Sequence, residues 1–255
     1  MKYSDEKDMQ NFKKIDISSW DNIKDNVFVR VMNRKYLSKY DDNIAHVPFL
    51  DLILTFSVQE KSKEGTLSHM LTNEDLESFN VSAEEVKKVA LCNTTYNRKK
   101  RLMTLKESAL TNNPMYPIIQ SYSGMALGAR GHSESECGIV QDTDEELGVD
   151  NVLVLCNKSD TFGASYIASS DVLEEIYNRF HENFYIIPLS IHQVMCVRAS
   201  YATRNGEKLS YEVDDDFLEM IEMFNDNNNK SWKDILSYKI YYYFGDDGKG
   251  LFVIK

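Results

Sequence analysis

Residues 151–198 read NVLVLCNKSDTFGASYIASSDVLEEIYNRFHENFYIIPLSIHQVMCVR, and the succession of periodicities in this stretch decides the fold. Two short apolar runs, 152–156 and 163–168, flank the turn-forming string Asn157-Lys158-Ser159-Asp160, the pattern of a β-hairpin. Asp171 and Glu174 then have the spacing of a capping box, and Val172, Leu173, Ile176 and Phe180 recur at helical spacing behind them. Strand character returns at 184–187, where Pro188 should end the ladder because it has no N–H, and 194–197 gives a further strand. Strand, strand, helix, strand, strand makes this the scaffold around which the remaining chain is arranged.

Upstream, Ser18 and Ser19 can cap a helix over 20–33 with Trp20, Ile23, Val27, Phe28 and Val31 on one face. A loop over 39–46 leads through Pro48 into FLDLILTFSV (49–58), whose unbroken apolarity predicts a buried central strand. The charged turn 60–65 predicts a hairpin into 66–71. Thr72 caps a short helix to Phe79, with Leu71 and Leu76 as a hydrophobic staple, and Ser82 with Glu85 opens a second helix that ends near Asn97. Residues 99–150, with two of the four prolines and the glycines 124, 128, 131 and 138, read as an irregular excursion with at most short strands near 118–122 and 139–140. Downstream come a polar turn (201–210), an amphipathic helix (214–224), a helical turn (232–236) and a closing hairpin of 239–244 and 251–254 across Gly245-Asp246-Asp247-Gly248.

The totals bound the class. With 255 residues the chain can bury a full core, and Tyr (15) and Phe (12) outnumber Gly (11) and Pro (4), against a disordered or loop-dominated chain. The start, MKYSDEKDMQ, holds no apolar signal segment, and no apolar run approaches the ~20 residues of a membrane span, so a cytoplasmic protein is expected. Cys92, Cys137, Cys156 and Cys196 show no paired spacing, which argues against a disulfide framework or a zinc ribbon. A net charge of −11, from 40 acidic and 29 basic residues, repels phosphate backbones and disfavours direct nucleic-acid binding. The basic run Arg98-Lys99-Lys100-Arg101 reads as the solvated C-terminal end of a helix, where cations suit the dipole.

Candidate chemistry is sparse. GMALGARG (124–131) fits neither phosphate-loop spacing and reads as a loop. His132 and Cys137 could form a thiol–base or metal pair, but a cysteine nucleophile also needs a setting that lowers its pKa. Ser190 and His192 stand at a strand end, where scaffolds present functional side chains; the plainer reading has Ser190 cap a single helical turn and His192 satisfy a backbone carbonyl, since no third, orienting residue is evident. The acidic string 142–146 lacks the glycine and terminal glutamate of a calcium loop, and Asp214, Asp215 and Asp216 suit a helix N-terminus. The expectation is therefore no committed catalytic residue, no metal and no cofactor.

FLDLILTFSVQ, LTNEDLESFNVSAEEVKKVALCNT and above all VLEEIYNRFHENFYIIPLSIHQV resemble a bacterial family catalogued as domain of unknown function 5688, over 20–197 with a break across 99–150, and again at the tail IYYYF. The resemblance implies an α+β fold and a cytoplasmic bacterial setting, often on mobile elements; it brings no activity and no catalytic residues. The expected architecture is α+β: a polar lead-in (1–18), then a single domain (19–255) with a mostly antiparallel sheet packed against several helices and 99–150 as its irregular middle insertion. The expected function is a non-enzymatic binding protein acting through protein–protein contact, without membrane or direct nucleic-acid binding. One form of it is an acidic inhibitor of a nucleic-acid-binding host protein. The rival is a small hydrolase using Ser190 with His192, or Cys137 with His132.

Overall fold

Val27, Val29 and Val31 alternate with Phe28, Arg30 and Met32, and this period of two, in a β-branched run, overrides the helical spacing read through it. The expected helix over 20–33 is accordingly cut short: α1 (Trp20–Ile23) and a 3-10 turn (Lys24–Asn26) lead straight into β1 (Val27–Asn33). The computed structural model describes residues 15–40, 42–62, 65–104, 107–108, 151–158, 161–200, 218, 221–222, 225, 234–245 and 248–254. The expected turn 201–210 lies outside them, as do most of the expected helix 214–224 and the expected strands within 99–150.

After α2 (Lys35–Tyr40), where a loop was expected to begin, the first sheet continues with β2 (His46–Phe49), β3 (Leu52–Ser62) and β4 (Gly65–Met70). The apolar run 49–58 is thus two strands: Leu50, with φ 55°, and Asp51 turn the chain between Phe49 and Leu52, and Pro48 sits on the outer strand, where a missing N–H is tolerated. β3 is central, with β1 antiparallel on one side and β2 and β4 sharing the other. The capping boxes are present. Thr72 and Asp75 open α3 (Asn73–Phe79), and Ser82 and Glu85 open α4 (Ala83–Cys92), which runs on as a π-helical turn (Asn93–Asn97) to the end predicted for it.

The second sheet has the order β10-β9-β7-β8-β6-β5, antiparallel throughout. Its strands are β5 (Lys100–Thr104), β6 (Val152–Asn157), β7 (Phe184–Ser190), β8 (Gln193–Arg198), β9 (Tyr241–Phe244) and β10 (Gly250–Val253), the last two forming the predicted closing hairpin. β5 corrects the reading of 99–150 as irregular from its first residue. Pro188 lies inside β7 rather than ending it: β9 has already stopped opposite Ile186, so no ladder bond is lost on that side, and the register with β8 shifts at this point.

The expected strand 163–168 is a buried 3-10 helix (Gly163–Ala168), and the reason is available in the pairing. β6 already has β5 on one edge and β8 on the other, leaving no edge for a hairpin partner. Asn157 instead closes a loop through its side chain, accepting from Thr161 N–H at 3.0 Å and donating to Thr161 O. Gly163 follows in close backbone contact, since a Cβ there would lie 2.4 Å from His192 O and 2.6 Å from Cys156 Cα. Next, α5 (Ser170–Phe180) is capped by Ser169, whose Oγ accepts from Val172 N–H at 3.4 Å, rather than by Asp171.

Among the described residues, then, the fold is α+β with two antiparallel sheets sharing one core. Val29, Val31, Leu54 and Phe56 of the first sheet, Leu153, Phe184 and Cys196 of the second, Val86 of α4 and Ile176 of α5 all belong to it. Ile187, Met195 and Val197 face a smaller cluster with Ile221 on the far side of the second sheet, which is why its strands read as continuous apolar runs. Asp51 adds a polar tie, accepting from Tyr241 Oη–H at 2.9 Å and from Ser237 Oγ–H at 3.1 Å.

The free edge of β1 is closed by side chains. Thr94 Oγ1 accepts from Val29 N–H at 2.9 Å, Ser165 Oγ accepts from Val31 N–H at 3.1 Å, and Asn93 Nδ2 donates to Val27 O at 3.0 Å. Ser165→Ala should leave a buried N–H unpaired and cost about 1–3 kcal/mol in urea unfolding, against about 0.5 kcal/mol or less for the exposed Ser170→Ala. A second prediction concerns Asp75. Partial burial opposes its charge, but bonds from Thr72 and His69 outweigh this and hold its carboxyl below the usual range. Its contribution is full above about pH 4, the unfolded value, and is lost as pH falls through the lower folded value. Asp75→Asn should therefore flatten the acid limb of the stability–pH curve.

Candidate functional site

Because Val27, Val29 and Val31 of β1 turn to the core, Arg30 is carried to the opposite face, where the register also places Ser57 and Gln59 of β3 and Ser68 of β4. Its Nε donates to Ser57 Oγ at 2.9 Å, Nη2 donates to Ser68 Oγ, and the guanidinium lies 3.9 Å from the centroid of the Phe162 ring. A second guanidinium arrives from the π-helical turn. Arg98 leaves that turn with extended backbone, stacks 4.2 Å from the Phe28 ring centroid and donates from Nη2 to Gln59 Oε1. The basic run 98–101 is therefore not a solvated helix end: Arg98 turns inward, and Lys100 and Arg101 belong to β5, with Lys100 Nζ 2.7 Å from Glu175 Oε2.

The electrostatics of the pair are unusual for an acidic chain. Burial, with the Arg98 charge nearby, lowers the Arg30 guanidinium to about 10, and burial also lowers Arg98. Among the described residues neither meets a carboxylate. Arg98 Nη1 and Tyr166 Oη are both buried, without a hydrogen-bond partner among the described residues. Tyr166 is 1% exposed; burial pushes its phenol up to about 12, against the pull of Arg98. Stacking on an aromatic ring returns about 0.5–2 kcal/mol per cation, short of the several kcal/mol that desolvating an ion costs. Among the described residues the arrangement is a pair of cationic donors met only by neutral acceptors, and what it can do chemically is hold an anion.

Phe162 connects this cluster to the residues singled out in the sequence. Its backbone is left-handed (φ 55°, ψ 30°), an uncommon conformation for a bulky side chain, and its N–H donates to His192 Nδ1 at 3.1 Å. The Phe162 and His192 rings are 5.5 Å apart, and His192 Nε2 lies 3.6 Å from Asp234 Oδ1. Ser190 is buried, with its Oγ accepting from the backbone N–H of His192 at 3.1 Å, so it caps the β7–β8 turn. His132, Cys137, the glycines 124–131, the acidic string 142–146 and the aspartates 214–216 all lie outside the described residues. Sequence reasoning missed Arg30, Phe162 and Tyr166, and read Arg98 as part of a solvated helix end. The basic run 98–101 and a lone arginine at an alternating position of the β-branched run VFVRVM were the signals that could have pointed to the site.

Among the described residues no group of three or more His, Cys, Asp or Glu could hold a metal ion, and no helix is long and apolar enough to cross a membrane. A family model described as a family of unknown function (DUF5688) matches residues 1–244, a longer span than the 20–197 over which the resemblance was read. No curated protein and no solved structure matches the chain.

A desolvated cation without a counter-charge lowers the stability of the ligand-free protein, so an apolar residue of similar length should relieve it. Arg98→Met is expected to leave the urea midpoint unchanged or raise it. A merely structural arginine would lose packing and hydrogen bonding and move the midpoint the other way.

Proposed function

The chain belongs to that family, and we propose that it is a non-enzymatic binding protein that grips an anionic group of a partner protein with Arg30 and Arg98. The observation that carries this reading is selective: in a chain with 40 acidic residues, none of those described stands against two half-buried guanidiniums. Carboxylates were plentiful, and a stability-driven core would have placed one there or used an apolar side chain. A cytoplasmic bacterial setting, often on a mobile element, belongs to the same proposal, with neither membrane nor nucleic acid bound directly.

A second form of the reading, an acidic inhibitor seated in the basic groove of a nucleic-acid-binding host protein, is supported by the net charge of −11. It makes a different demand, because contact spread over an acidic surface fades steeply with salt and does not need Arg98. The hydrolase alternative, in its Ser190–His192 form, draws on the His192–Asp234 approach, but Ser190 Oγ is buried and engaged by the His192 backbone; its other pair, Cys137 with His132, lies outside the described residues.

Immobilised wild type, Arg30→Gln and Arg98→Gln, challenged with lysate across a salt series, separate these readings. The expected result is a protein retained by the wild type and released from both variants. Equal retention on all three removes the arginine reading, and equal retention that collapses with salt transfers support to the acidic inhibitor.

A further inference from the structure

We propose that the group held by Arg30 and Arg98 is a phosphate monoester rather than a carboxylate, an inference that rests on the binding reading above. Charge is the first argument. Arg30 bonds Ser57 and Ser68 while Arg98 bonds Gln59, which lies two residues from Ser57 on β3 and opposite Ser68 of β4, so two positive charges lie side by side; a carboxylate would cancel only one, leaving the other desolvated and unpaired. A phosphate monoester carries about −1.5 to −2 at neutral pH and cancels both.

The second argument counts hydrogen-bond capacity. Ser57 Oγ and Ser68 Oγ each accept from Arg30, which leaves their own O–H protons to be donated onward. Gln59 accepts from Arg98 through its oxygen, leaving its amide N–H groups as donors. Among the described residues Arg98 Nη1 and Tyr166 Oη have no hydrogen-bond partner. The cluster is therefore rich in donors and has lost its acceptors to internal bonds, and these donors come from β1, β3, β4, the segment after the π-helical turn and the buried 3-10 helix. Three terminal oxygens with several lone pairs each can meet donors arriving from that many directions, whereas the two coplanar oxygens of a carboxylate cannot. Arg30 and Arg98 both keep part of their surface exposed.

The third argument concerns Tyr166. A hydroxyl buried to 1% exposure without a partner costs about 1–3 kcal/mol relative to one that is satisfied, and phenylalanine would fill the same space without that cost. A tyrosine is best explained at that position by an acceptor that arrives with the ligand.

The test uses the full chain and calorimetric titration, with inorganic phosphate as the first probe and acetate as the carboxylate probe. A phosphoserine-containing peptide and free glycerol phosphate then distinguish a phosphorylated side chain from a small phosphate ester. Phosphate should bind at one site per chain and acetate at least about tenfold more weakly. Affinity should fall between pH 7.5 and pH 5.5 as the dianion is protonated. Arg98→Gln should abolish binding. Tyr166→Phe, which removes one hydroxyl and keeps the packing, should weaken it about tenfold while leaving the unfolding midpoint unchanged or higher. Acetate or a glutamate-containing peptide binding through the arginines as tightly as phosphate would overturn the phosphate assignment and leave the anion reading standing. Phosphate affinity unchanged in both variants would place the ion elsewhere and overturn the assignment. Binding of neither anion would overturn both.

Discussion

Two backbone N–H groups on the uncovered edge of β1, those of Val29 and Val31, set the terms for the rest of the structure. An edge buried beside a core must find acceptors, and here they are the hydroxyls of Thr94 and Ser165 rather than another strand. To deliver Thr94, α4 continues into a π-helical turn, and Thr94 Oγ1 also donates to Ala90 O at 2.8 Å, so the residue is fixed from both sides. To deliver Ser165, the segment after β6 winds into a 3-10 helix against β1, with Gly163 pressed onto the backbone of β6 and of the β7–β8 turn. The two sheets are joined through this plug.

The same two deliveries build the candidate site. The π-helical turn ends at Arg98 and throws it onto the outer face of the first sheet; the loop that starts the 3-10 helix throws Phe162 over Arg30 from the other direction. Tyr166, one residue past Ser165, is carried into the core while its hydroxyl is left near Arg98. Edge closure and ligand reading are therefore two consequences of one piece of backbone geometry. His192, which accepts from the strained Phe162 N–H, supports that geometry from the β7–β8 turn, a role the sequence spacing with Ser190 did not suggest.

Local chemistry was legible where it was also decisive. Thr72 and Ser82 cap their helices as read, because a capping box is satisfied within four residues and needs nothing from the rest of the chain. The closing hairpin and the β3–β4 hairpin were legible for the same reason. Reading failed where partners distant in sequence decide. The run 163–168 has strand composition, yet β6 had already been claimed by residues around 100 and around 195, and pairing of that range leaves no local trace. Residues 27–33 satisfied helical and strand periodicity at once, and only the seven-residue register with β3 resolves the choice. At 49–58 apolarity concealed a two-residue turn, since Leu50 in left-handed backbone carries none of the usual glycine or asparagine signal.

The site itself was illegible for a further reason: it is defined by what is withheld. Motif reading looks for residues that cooperate in sequence, and Arg30 and Arg98 are separated by most of the first sheet and three α-helices. Their significance comes from charge that no described carboxylate compensates. Desolvation lowers both guanidiniums, two aromatic rings cover them without neutralising them, and the described acceptors that they bond are the hydroxyls of Ser57 and Ser68 and the amide oxygen of Gln59. Neutral acceptors orient a guanidinium at little electrostatic gain, whereas an aspartate at any of these three positions would have locked it. Ser57, 0% exposed in the centre of β3, is the telling choice, because a buried serine there holds Arg30 in place while leaving its charge available to something from outside the chain.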